Sequence, residues 1–154
     1  MSRWTTIGLL TALSLSLATQ AAAKQTPDQQ TPAKPNGTDP RADAERLFTL
    51  KVLPVLKVKC FGCHGSDPQD HRGDFDIRSR KGMLKGGESK AAALLPGHPE
   101  DSPLFTAVNW DGLEMPPKKN DRLTTDQINS LRLWIRAGAP WPDATTQEKY
   151  REEN

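Results

Sequence analysis

Apolar positions fall into helical spacing in three stretches of the chain and thin out between them. Ala44, Phe48 and Val52 recur every four residues with Leu47 beside them, which places them on one face of a 3.6-residue helix. Asp39-Pro40 ahead of them reads as a cap with proline in the first turn. The spacing therefore predicts a helix from about Arg41 to Leu53, ended or kinked at Pro54. Leu104, Phe105 and Val108 follow Glu100-Asp101-Ser102-Pro103 and predict a short helix reaching about Asn109. In the third stretch Thr124 to Gln127 spells a T-x-x-Q capping box. Ile128, Leu131, Trp134 and Ile135 then recur at threes and fours until Gly138, a residue suited to closing a helix in the left-handed conformation.

Alternation of period two is nowhere sustained, so the pattern predicts an all-α chain without a sheet. Gly65 to Gly97 is punctuated by glycine and reads as loop, with DFDIRS as a short extended piece. Lys24 to Pro40 is rich in Pro, Gln and Thr and has nothing large and apolar to pack, which predicts a flexible tether. Beyond Pro140 and Pro142 the chain turns polar, and residues 145–154 read as a fraying tail. The ordered domain is expected at 41–144. Its loops are long for a few short helices, and such loops need something to hold them, for which an embedded prosthetic group is suited.

The first 23 residues carry Arg3, an apolar run from Ile7 to Leu17, and Ala21-Ala22-Ala23 before Lys24. That layout predicts a secretory leader, cleaved near Ala23, with an uncleaved anchor as the alternative. The 154 residues are 35% apolar, enough for one modest core. Lysine and arginine number 21 against 19 acidic residues, so no global field speaks for nucleic acid or another polyanion. Export changes the meaning of the two cysteines, because an oxidising compartment leaves no thiol pair idle.

Those cysteines stand in Cys60-Phe61-Gly62-Cys63-His64, a C-x-x-C-H sequence and the attachment signature of c-type haem. Each thiol can add to one porphyrin vinyl group, and His64 then follows as the axial ligand beneath the iron. A thioredoxin-like pair is an alternative, but the strand-helix-strand setting it needs is missing. A zinc site would have to recruit His64, His71 and His98 at unusual spacing, and a disulfide would close a tiny loop of little stabilising value. For the sixth position of the iron Met115 is the candidate, lying in Leu113-Glu114-Met115-Pro116-Pro117, where Pro116 and Pro117 stiffen the chain around a soft thioether. Met83, His71 and His98 are rivals, and core filling is the ordinary use of a methionine.

Taken together, Leu47-Phe48, Val52 to Leu56, the C-x-x-C-H motif, Lys85-Gly86-Gly87, Pro96-Gly97, Asp101 to Leu104, Met115-Pro116-Pro117, Leu123-Thr124 and Leu133 to Ala139 resemble the planctomycete-type cytochrome c domain, over about Leu47 to Ala139. The resemblance implies a small class I-like cytochrome c fold wrapped around one covalent haem, with its terminal helices packed together. It also implies Cys60 and Cys63 as thioether sites, His64 as proximal and Met115 as distal ligand. Members of that family often carry the domain fused to larger ones, whereas this sequence stops soon after Ala139.

The function that follows is one-electron transfer outside the cytoplasm, with redox proteins as partners and no catalytic residue. A peroxidase-like enzyme is one alternative, with Glu114 or His98 as its acid or base, and a gas-sensing haem module with a displaceable sixth ligand is another. Lys57, Lys59, Lys118 and Lys119 flank the ligand segments and could steer an acidic partner, or serve simply as solubilising charge. Trp110, Trp134, Trp141, Arg72 and Arg78 are candidates for contact with the haem or its propionates, with core filling an equal reading for the three tryptophans.

Overall fold

Each helix starts or stops where a local group satisfies its end. The structure is a computed structural model and describes residues 39–65 and 72–154. The leader at 1–23, the tether as far as residue 38, and His71 lie outside the described residues. In chain order the helices are α1 (Pro40–Leu47), α2 (Leu53–Lys59), α3 (Phe61–His64), α4 (Arg80–Lys85), α5 (Pro103–Asn109), α6 (Thr125–Arg136) and α7 (Ala144–Glu152). No residue among those described is assigned to a strand, as the missing alternation predicts.

At the start of α1, Asp39 accepts the Arg41 N–H on its carboxylate at 3.0 Å. The axis then runs through a π-helical turn, Phe48–Val52, directly into α2. Leu53 donates its N–H to the Phe48 carbonyl, and Pro54 enters in the first turn of α2. Proline lacks an N–H and its ring crowds the carbonyl four residues back. The wider turn makes room for that ring, so the helix passes Pro54 instead of ending at Leu53, and α2 delivers the chain to Cys60.

Thr124 and Gln127 form the expected reciprocal box: the Thr124 N–H donates to Gln127 Oε1 at 2.9 Å and the Gln127 N–H to Thr124 Oγ1 at 3.3 Å. Gly138 follows α6 with φ of +90°. The Arg80 guanidinium donates to the Ala139 carbonyl at 2.9 Å and the Gly138 carbonyl at 3.3 Å, which ties α4 to the end of α6. Ser102 stands before α5 as expected but makes no side-chain cap. It is fully buried, and its hydroxyl accepts the Leu95 N–H and donates to the His98 carbonyl, both at 2.9 Å.

Phe48 joins the terminal helices. Its ring lies 5.3 Å from Trp134 of α6 and 4.4 Å from Trp141, with Val52, Leu56, Leu131 and Ile135 closed around the group. The Trp134 indole N–H donates to the Pro140 carbonyl at 2.7 Å.

Two further segments depart from the sequence expectation. Arg80–Lys85, expected as loop, is helix α4, opened by the Ser79 hydroxyl accepting the Gly82 N–H at 3.0 Å. Residues 145–154, expected to fray, form most of α7, capped by Asp143 accepting the Thr146 N–H at 2.8 Å. Tyr150 is only 7% exposed. The Arg46 guanidinium of α1 lies over its ring at 4.7 Å and pairs with Glu153 at 2.7 Å. One aromatic side chain against α1 is enough to dock a helix that is otherwise polar.

Candidate functional site

The two cysteines and the histidine occupy one turn. The Cys63 and His64 N–H groups both donate to the Cys60 carbonyl, at 3.1 and 3.0 Å, and Ile77 donates its N–H to the His64 carbonyl at 3.0 Å. His64 Nδ1 sits 2.9 Å from the Arg72 carbonyl oxygen. A carbonyl can only accept, so Nδ1 carries a proton, and in the neutral ring the lone pair is on Nε2. A carbonyl on one imidazole nitrogen is the arrangement that orients a histidine for binding a metal through the other. Phe75 meets the same ring edge-on, with centroids 5.4 Å apart.

Cys60, Cys63 and His64 line a cavity of about 330 Å³. Leu104, Ala107 and Val108 of α5 give it an apolar wall, and Leu113, Met115, Pro116 and Pro117 line it as well. The Met115 N–H donates to the Ala107 carbonyl at 3.0 Å, which fastens the methionine segment to α5. Met115 is 36% exposed, so it stands at the edge of the cavity. Burial, and after it the neighbouring Cys63, push the Cys60 thiol up to about 11. Attacking cysteines of redox pairs are shifted the other way, which counts against the thioredoxin-like alternative.

Apart from Arg72, the remaining wall was not legible in the sequence. Arg72, Gly73, Phe75 and Ile77 line it from one loop and Gly87, Glu88, Ser89, Ala91 and Ala93 from another. The Glu88 N–H donates to the Gly73 carbonyl at 2.8 Å, and a Cβ placed on Gly87 would lie 2.2 Å from that same oxygen. Only glycine lets the two backbones approach this closely. The Gly86-Gly87 pair was the one available signal, and it names no partner.

The structure sorts the rivals by place. Met83 is fully buried in the core, which assigns it to packing. The His98 side chain is 70% exposed, 3.8 Å from Asp101. Neither His98 nor Glu114 lines the cavity, so the peroxidase-like reading gains no support from them. Of the four lysines Lys59 alone lines it, and Arg72 does so while Arg78 does not. Arg78 instead pairs with Asp76 at 2.9 Å. Trp134 and Trp141 belong to the core cluster around Phe48.

Covalent haem fits these residues. Two thiols, an oriented imidazole, a thioether and an apolar wall surround one cavity, whose size lies in the range of about 300–1,000 Å³ typical of cofactor sites. A zinc site has no such support, because no three His, Cys, Asp or Glu side chains converge among the described residues. The family model described as Planctomycete cytochrome C matches residues 60–119. Over that segment the chain is similar to the Planctomycete cytochrome C family. The match begins at Cys60 and runs past Pro117, so it takes in the attachment motif and the Met115 segment together. Covalently bound haem and haem-based electron transfer are what that similarity suggests. No curated protein and no solved structure matches the chain. No helix among the described residues is long and apolar enough to cross a membrane.

Proposed function

We propose that this chain is a mono-haem c-type cytochrome, an electron carrier rather than an enzyme, acting outside the cytoplasm. The observation that carries the reading is the meeting of Cys60, Cys63, His64 and Met115 on the wall of one apolar cavity. Cys60 and Cys63 would hold the porphyrin by thioether bonds, His64 Nε2 would take the proximal side of the iron, and the Met115 sulfur the distal side. A haem held in this way supplies one-electron exchange between ferric and ferrous iron. Its cytochrome c-like enclosure would consist of α2 and α3 on the attachment side, α5 as apolar wall, and the loops at 72–77 and 87–93 as rim. With two cysteines in the whole sequence, the chain has one attachment site and would carry one haem. The leader-like first 23 residues support export, and redox proteins would be the partners.

Each protein group has a defined part. The Arg72 carbonyl keeps the Nδ1 proton of His64 in place and so directs Nε2 toward the cavity. Pro116, buried beside Met115, and the Met115–Ala107 hydrogen bond hold the thioether in position before and after electron exchange. Neither ligand has to leave, so little rearrangement accompanies the change of charge.

The reading is tested on protein exported from a host with a haem-ligation pathway. Intact mass and a haemochrome assay are expected to show one covalent haem on the mature chain. The oxidised protein should display a sulfur-to-iron band and the reduced protein should ignore carbon monoxide. Met115→Ala should retain the haem, lose the band and bind carbon monoxide. Colourless folded protein with free thiols would end the haem reading, and an unaltered Met115→Ala spectrum would assign the sixth ligand elsewhere.

A further inference from the structure

We infer that Trp110 and Arg122 form a clasp holding shut the loop that carries Met115 over the cavity. The clasp concerns the loop itself, and only its consequence at the iron rests on the ligand reading above. The loop leaves α5 at Trp110 and enters α6 through Thr124. Trp110 adopts the left-handed conformation, with φ of +63°, uncommon for so bulky a residue, and there the chain reverses. The Trp110 N–H donates to the Ala107 carbonyl at 3.1 Å, the Asp111 N–H to the Thr106 carbonyl at 3.0 Å, and Met115 returns to Ala107. At the far end of the loop the Arg122 guanidinium lies 4.4 Å from the centroid of the Trp110 ring. The stack therefore joins the two ends of the loop.

Pro116 is buried and Leu123 reaches the core, so the rest of the loop depends on what holds the stretch between Trp110 and Met115. Leu113 at its tip is 62% exposed and Met115 36%, so the tip buries little apolar surface of its own. The Trp110 indole N–H is sealed from solvent with no hydrogen-bond partner among the described residues. The ring is thus held by packing and by the cation above it, and no side-chain hydrogen bond fixes it. Arg122 is solvent-exposed and contributes nothing to the core. A segment with little buried surface opens more readily than the helices it joins, and a cation–π stack at an exposed site shifts such an equilibrium by roughly two- to fivefold. A solution ligand that competes with Met115 reaches the iron when the loop is open, so its apparent affinity scales with the open fraction.

The test uses the haem-loaded protein, with amide hydrogen exchange of Asp111 and Met115, whose N–H groups are hydrogen-bonded to α5, and titration of the ferric form with imidazole. Arg122→Gln is a surface change that spares the fold. Arg132→Gln is the control, because it removes an equal charge that stacks on Phe105 of α5 at 5.2 Å and pairs with Glu100 at 3.6 Å, neither of which is a residue of this loop. Arg122→Gln is expected to speed exchange of the loop and to tighten imidazole binding, each by roughly two- to fivefold. Arg122→Lys, which keeps a cation, should recover most of the protection. Exchange that is unchanged in Arg122→Gln, or equally faster in Arg132→Gln, overturns the clasp. Faster exchange with unaltered imidazole binding upholds the clasp and removes Met115 as the displaced ligand.

Discussion

Replacing Tyr150 by alanine should destabilise the protein by about 3–4 kcal/mol without altering its haem spectrum. Tyr150 is 7% exposed at the contact between α7 and α1, and deleting a buried aromatic ring costs about 3–5 kcal/mol in a full core. A contact at the edge of the molecule can collapse partly, which favours the lower end. Loss of the Arg46 stack at 4.7 Å adds about 0.5–1 kcal/mol. The phenol oxygen, 3.5 Å from Glu45, adds little, so Tyr150→Phe should stay within about 0.5 kcal/mol of wild type. In a domain of this size each kcal/mol moves Tm by roughly 4 °C, giving a drop of roughly 12–16 °C in a thermal melt followed by circular dichroism. Because α7 leans on α1 and the π turn and not on the cavity, the visible spectrum of the haem-loaded protein below the transition should be unchanged. A drop of less than about 2 °C would mean that α7 frays as its polar sequence suggests, and would refute the docking described above. Burial, followed by the Glu45 charge, raises the Tyr150 phenol above its ordinary value. A raised acid favours the fold while protonated, so the stability margin over Tyr150→Phe should shrink as pH rises through and above the ordinary tyrosine range.

Three further outcomes are expected. Without haem, and with helicity confirmed by circular dichroism, Cys60 at about 11 should alkylate roughly twentyfold more slowly at pH 8 than an ordinary thiol, since a scarcer thiolate outweighs its greater intrinsic reactivity; mass spectrometry showing an ordinary rate would remove the burial argument. That haem-free fold should also lose stability as pH rises from about 9 to about 11, because the buried thiol resists ionisation, and a denaturant series across that range reads it. Gly87→Ala places a Cβ 2.2 Å from the Gly73 carbonyl and should cost about 1–3 kcal/mol in a urea melt by forcing the two rim loops apart.

What the sequence revealed, and what it concealed, follows from the range of the interactions. The start of α6 was legible because Thr124 and Gln127 satisfy each other three residues apart. That Cys60, Cys63 and His64 lie together was legible because they fall within one turn, and that Met115 lines the same cavity was signalled by the two prolines after it. The helix past Pro54 was concealed by a local rule that a wider turn overrides. Helix α7 was concealed because its anchor is one tyrosine whose docking surface lies on α1. The rim of the cavity was concealed for a similar reason, since Gly87 and Gly73 meet through backbone atoms that carry no side-chain signature.

The π turn between α1 and α2 sets the compass bearing of everything after it. Each residue of an α-helix turns the chain by about 100°, so shortening Phe48–Val52 by one residue would swing Cys60, Cys63 and His64 roughly a quarter-turn around the helix axis while Phe48 stayed bedded against Trp134. In this helix a single-residue deletion would act as a rotation, and its sign would be thiols and imidazole aimed away from the α5 wall of the hollow in a protein whose tryptophan fluorescence still looked native.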